Sequence, residues 1–133
     1  VFHRYFDDRS TVSLPEGCAS CVEGIGRPRV EPSFLPTAID RMIAIGDGES
    51  VGAMRALSTR LGRRVGGSTG TNLAACQQLI DEMAARGETG SVVTILCDGG
   101  DRYHCTYYDD AWLAARSIEW RDHEERLATL FSF

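Results

Sequence analysis

The segment Ser91–Cys97 constrains the fold of this chain more than any other, because it reads Ser-Val-Val-Thr-Ile-Leu-Cys without a charged residue. A continuous apolar and β-branched run, with Gly90 before it and Gly99 soon after, is typical of a strand that is buried on both faces. Such strands occur mainly in parallel sheets that are covered by helices. The segment therefore predicts a sheet at the centre of the fold.

Helices are predicted before and after this segment. Apolar residues at spacings of three and four indicate one helix at about 49–61, through Val51, Met54, Leu57 and Leu61, and a second at about 71–86, through Leu73, Cys76, Ile80 and Met83. A third begins at the capping pair Asp109-Asp110. Further strands are expected within 1–23, at 42–45 and ending at Val65. We thus predict an α/β fold of three layers, a mostly parallel sheet flanked by helices.

The composition excludes several classes of function. A formal net charge of −5 argues against a nucleic-acid partner, and no apolar run approaches the length of a membrane span. The five cysteines are an odd number and suit reduced thiols in the cytoplasm better than a disulfide framework. Cys18 and Cys21 have zinc-knuckle spacing but lack a clear second pair, so we predict no metal and keep zinc as a third, weaker alternative.

Two polar turns follow predicted strands. Gly66–Thr71 combines small residues with the start of a helix, and Asp98–Asp101 follows the strand-like run. Ligands of open α/β sheets lie beyond the carboxyl ends of the strands, so both turns could face one crevice. Ordinary capping turns explain the same residues, and neither turn specifies a reaction.

All 14 basic residues are arginine, and the chain contains no lysine. This chain cannot by itself form a lysine Schiff base with a carbonyl cofactor. No catalytic residue is therefore assigned within it.

Three motifs, in this order, resemble the C-terminal third of the cysteine synthase and cystathionine β-synthase family. They are Gly24-Ile25-Gly26 leading into a proline-rich loop, Gly66-Gly67-Ser68-Thr69-Gly70 at the head of a helix, and Asp98-Gly99-Gly100-Asp101-Arg102-Tyr103 after a strand. The loop Gly24–Pro36 is most similar to a bacterial branch with members that resemble S-sulfocysteine synthases.

The resemblance implies a pyridoxal phosphate site within a tryptophan-synthase-β-like large domain. Ser68 would hydrogen-bond to the pyridine nitrogen of the cofactor, and Gly24 would line the floor of the site. Cys97 and Asp98 would lie near the ring edge, although the family usually has proline where Cys97 stands. Residues 1–133 would be the C-terminal portion of a longer enzyme whose Schiff-base lysine and phosphate loop lie outside this chain.

The activity implied by the resemblance is replacement of the β-substituent of an activated serine by a sulfur nucleophile. The partners would then be an amino-acid substrate, that nucleophile and a second copy of the protein, in the cytoplasm and with no nucleic acid or membrane. The chain alone is expected to be inactive. The alternative is a non-catalytic or regulatory α/β module, which the missing lysine favours.

Overall fold

Five α-helices provide most of the regular structure in the computed structural model, which describes residues 1–15 and 19–130. Two short 3-10 turns, Pro36–Ala38 and Asp101–Tyr103, accompany them. The chain divides into two units, Val1–Ala44 and Ile45–Phe133. All but the first α-helix belong to the second unit.

The first unit contains α1 (Phe2–Asp7), where the sequence favoured a strand. An isolated antiparallel bridge pairs Ser13 with Arg29 at the edge of the proline-rich loop. The ring of Phe34 lies 4.6 Å from that of Phe2, which places the end of the loop against α1. No other regular element occurs among its described residues apart from the 3-10 turn.

The second unit is built around α2 (Asp47–Leu61), which packs against both α3 (Gly67–Ala85) and α5 (Arg121–Leu130). The short helix α4 (Asp110–Ala114) precedes α5. The core of this unit is apolar and includes Val51, Ala53, Met54, Ala56, Val65, Ala74, Leu113 and Leu127. Close helix packing requires glycine at Gly70, because a Cβ there would overlap the carbonyl oxygen of Ser50.

The predicted parallel sheet is wrong. Within residues 1–15 and 19–130 the β-pairing consists of two isolated bridges, and no strand is formed. The segment 91–97 is exposed rather than buried, with Val93 90% and Ile95 71% accessible to solvent. An apolar run forms a buried strand only where neighbouring strands supply backbone partners, and the described residues of this chain supply none.

The helices predicted from apolar spacing are confirmed. The first spans Asp47–Leu61. Its N-terminus is capped by the Glu49 carboxylate, which accepts a hydrogen bond of 2.7 Å from the Gly46 N–H. The second begins at Gly67, earlier than expected, so most of the predicted turn 66–71 is helical. Asp109 caps the third helix as predicted, since its carboxylate accepts from the N–H groups of Ala111 and Trp112.

None of the helices that the structure describes is long and apolar enough to cross a membrane.

Candidate functional site

The first turn of α3 presents the residue that the sequence motif singled out. Ser68 is the second residue of this helix and is half-buried. Its hydroxyl makes no hydrogen bond to any residue in the described part of the chain. The first N–H groups of a helix also lack partners within it. The turn thus offers a side-chain donor and backbone donors to a ligand with an acceptor atom.

The segment after 91–97 lies directly against this turn. The Gly66 N–H donates to the Asp98 carbonyl oxygen at 2.9 Å, and an antiparallel bridge pairs Val65 with Gly99. The Gly100 N–H donates to the Arg64 carbonyl at 3.1 Å on the other side of the bridge. The two polar turns of the sequence are therefore brought together, as predicted, although by a bridge rather than by adjacent strands.

Asp98 is positioned by a hydrogen bond from Tyr103 and by close contact with Gly66 at the start of α3. Its Oδ2 accepts a hydrogen bond of 2.8 Å from the hydroxyl of Tyr103, which is buried. Its Oδ1 occupies the space next to Gly66, where a Cβ would overlap the carboxylate. Gly66 is thus required by the close approach of Asp98. The side chain of Asp98 is otherwise exposed.

Cys97 lies between the two turns with its side chain exposed. The side-chain amide of Asn72 lies 3.6 Å from the Cys97 sulfur, and the backbone N–H of Cys97 donates to the hydroxyl of Thr69 at 2.9 Å. The family resemblance placed Cys97 near the ring edge, and the shorter of these two hydrogen bonds involves the main chain. Thr69 and Tyr103 were not predicted as site residues, and their positions inside the two quoted motifs were the available signal.

Gly24 belongs to the other unit, Val1–Ala44. Its φ of +86° is in the left-handed region that favours glycine, and a Cβ there would meet no atom within 4 Å. The local backbone therefore accounts for this glycine. Its role in the floor of a cofactor site stays a prediction.

The described residues contain no group of three or more side chains suited to holding a metal ion. Cys18, one half of the zinc alternative, lies outside the described residues.

No family model matches the chain. Comparison with curated proteins finds 51% identity over 118 residues with L-cysteine desulfhydrase Cds1 of Mycobacterium tuberculosis strain H37Ra, covering 89% of this chain and 32% of that protein. A second relative is the N-(2-amino-2-carboxyethyl)-L-glutamate synthase of Cupriavidus metallidurans strain CH34. It is 38% identical over 91 residues, which cover 68% of this chain and 27% of that protein.

These relatives define the class of protein: the chain is homologous to a segment of amino-acid-metabolising enzymes. More particularly, one relative is named for cysteine, the amino acid that the family resemblance also indicated. The chain spans about a third or less of the length of these curated relatives.

Proposed function

We propose that this chain is the C-terminal portion of a pyridoxal-phosphate-dependent enzyme that acts at the β-carbon of cysteine or a related amino acid. The observation that carries the proposal is the Ser68 hydroxyl. It is half-buried at the head of α3 and makes no hydrogen bond to a described residue. A hydroxyl so placed is suited to donate a hydrogen bond to a ring nitrogen.

The residues around Ser68 fit this cofactor. Gly67, which precedes Ser68 in the first turn of α3, carries no side chain that would keep a flat ring away from the backbone. Pyridoxal phosphate, when bound, acts as an electron sink for the substrate. A neutral hydroxyl at its nitrogen leaves the ring less electron-withdrawing than a carboxylate would, which favours chemistry at the β-carbon over transamination.

The other residues of the proposed site have secondary roles. The main chain of Cys97 and Asp98 lies against the same turn and would form a wall of the ring pocket. Gly24 is proposed as part of the floor. The lysine that holds the cofactor covalently would lie outside this chain, which contains none. The amino-acid substrate and a homodimeric assembly are parts of the same proposal.

Elimination of hydrogen sulfide from L-cysteine is the first candidate reaction, because the relative at 51% identity is a cysteine desulfhydrase. Replacement of the β-substituent of an activated serine by a sulfur nucleophile is the second candidate. It is supported by the three synthase-like motifs and by the second relative, which is a synthase.

The products distinguish these candidates. Full-length protein incubated with pyridoxal phosphate and L-cysteine should consume one water and release sulfide, pyruvate and ammonia in equal amounts. Formation of cysteine from an activated serine and sulfide, without release from cysteine, would favour the second candidate. Failure of both reactions in a protein that binds the cofactor would favour the non-catalytic alternative.

Substitution of Ser68 tests the site itself. In the full-length protein, Ser68→Ala should weaken pyridoxal phosphate binding by about fivefold, because a hydrogen bond to the ring contributes on the order of 1 kcal/mol. The exposed Ser91 is a matched control, and Ser91→Ala should bind as the wild type does. Affinity is measured from the absorbance of the bound cofactor. Equal affinity in all three proteins would contradict the assignment of Ser68.

A further inference from the structure

The first turns of α3 hold the segment 95–98 through three hydrogen bonds at a spacing of three residues. The Gly66 N–H donates to the carbonyl of Asp98 at 2.9 Å, and the Asn72 amide donates to the carbonyl of Ile95 at 3.2 Å. Between them, the Thr69 hydroxyl accepts from the Cys97 N–H at 2.9 Å. The start of a helix thus supplies hydrogen-bond partners to a segment that pairs with no strand in the described residues.

Thr69 is the central and most buried of these contacts. Thr69 is 2% exposed to solvent. Ser68 beside it is half-buried, and the hydrogen bond of Asn72 is exposed. Successive residues of a helix point about 100° apart, so the hydroxyls of Ser68 and Thr69 cannot serve the same partner. The Thr69 hydroxyl is engaged with the Cys97 N–H, whereas the Ser68 hydroxyl makes no hydrogen bond to a described residue.

We propose that Thr69 is a positioning residue, which fixes the main chain of Cys97 and the adjoining Asp98 against the first turn of α3, the turn that carries Ser68. The inference rests on the proposed function, since a positioned wall matters only if Ser68 meets a cofactor ring. It assigns the importance of position 97 to its backbone N–H rather than to its thiol. Proline, the usual family residue there, has no N–H and could not make this hydrogen bond.

The pair Thr69→Val and Thr69→Ser separates the hydrogen bond from the packing. Valine has nearly the shape of threonine but accepts no hydrogen bond, whereas serine keeps the hydroxyl and removes a methyl group. In the full-length protein, amide hydrogen exchange at Cys97 should become about fivefold faster in Thr69→Val, because one hydrogen bond of on the order of 1 kcal/mol is lost. The Thr69→Ser variant should exchange as the wild type does.

The cofactor provides the second measurement. Thr69→Val should weaken pyridoxal phosphate binding by about threefold to tenfold and change the absorbance spectrum of the bound cofactor, and Thr69→Ser should restore both. Faster exchange at Cys97 with an unchanged spectrum and affinity would overturn the positioning role, because the hydrogen bond would then be only structural. Unchanged exchange in Thr69→Val would overturn the contact itself.

The same experiment separates this inference from the proposed function. A wild-type protein that does not bind pyridoxal phosphate overturns the proposed function, and the positioning role with it. The exchange rates of the three proteins then still decide whether Thr69 holds Cys97. Binding by the wild type with no difference between valine and serine overturns the positioning role alone.

Discussion

At the candidate site, Gly66 is the position where an added side chain would lower the stability of the fold most. A Cβ there would overlap the Asp98 carboxylate, which is held in place by the Tyr103 hydroxyl. In Gly66→Ala, the short Asp98 side chain must turn away and lose that hydrogen bond. We expect the free energy of unfolding to fall by about 1–3 kcal/mol, since hydrogen bonds to charged groups contribute about that much. Urea unfolding measures the change.

Gly99 provides the matched control for this prediction. It lies one residue after Asp98, and a Cβ there would meet no atom within 4 Å. Gly99→Ala should change the free energy of unfolding by no more than about 0.5 kcal/mol, as for most unconstrained positions. An equal loss in both variants would mean that Asp98 does not occupy the space beside Gly66.

At this scale the sequence predicted some residues of the candidate site and not others. Ser68 and Asp98 were predicted because they belong to motifs whose members are close in sequence. The partner of Thr69 is Cys97, which is 28 residues away, so no local pattern could indicate that hydrogen bond. The buried hydroxyl of Tyr103 reaches back five residues to Asp98, which depends on the backbone path of the turn between them.

The contact between α2 and α3 is the clearest case in which an element depends on one residue. A Cβ at Gly70 would overlap the carbonyl oxygen of Ser50 and would lie 2.8 Å from the Cβ of Met54. Alanine in a helix is normally more stable than glycine by roughly 0.5–1 kcal/mol. Here we expect the opposite sign, with Gly70→Ala losing about 2 kcal/mol as the two helices are forced apart.

Equilibrium unfolding of Gly70→Ala beside the wild type checks the sign. The partly buried Thr71–Ser50 hydrogen bond of 2.8 Å spans the same helix pair, so its loss should accompany the change. A gain in stability would show that α2 and α3 do not approach as closely as the structure has them.

Secondary-structure elements could be predicted where the sequence pattern that specifies them lies within one segment. The helical stripes of α2 and α3 lie within one segment each, and both helices were predicted with boundaries a few residues short at the start. The run 91–97 has equally apolar residues, but a strand is completed by partners elsewhere in the chain. Because those partners are absent from the described residues, the strand prediction failed while the helix predictions succeeded.

At the scale of the second unit, a charged side chain also connects the helices that pack around the apolar core. The Arg55 guanidinium on α2 donates to the carbonyl of Tyr107 at 2.9 Å and pairs with Asp110 at 2.7 Å. It also lies 3.9 Å from the ring centroid of Trp120. One side chain of α2 therefore ties together the residues that lead into α4 and α5, and it places a positive charge close to the start of α5.

The half-buried Glu124, on α5, makes the stability of this unit depend on pH. Burial raises the pKa of its carboxyl above the ordinary value of 4.5, although the nearby positive charge of Arg55 acts in the opposite direction. Between 4.5 and the raised pKa, the folded state keeps a proton that the unfolded state has lost. The contribution of Glu124 to stability is therefore complete below 4.5 and is lost as pH rises through the folded pKa.

Glu124→Gln should remove this dependence, because glutamine is neutral at every pH. The difference in unfolding free energy between the variant and the wild type should shift in favour of the variant as pH rises above 4.5. Glu88 contributes with the opposite sign, since its pKa is lowered chiefly by a hydrogen bond from Arg86, but it is the same in both proteins and cancels. The exposed Glu119 is the control, and Glu119→Gln should leave the dependence in place. A constant difference for Glu124→Gln across this range would contradict the burial of its carboxyl.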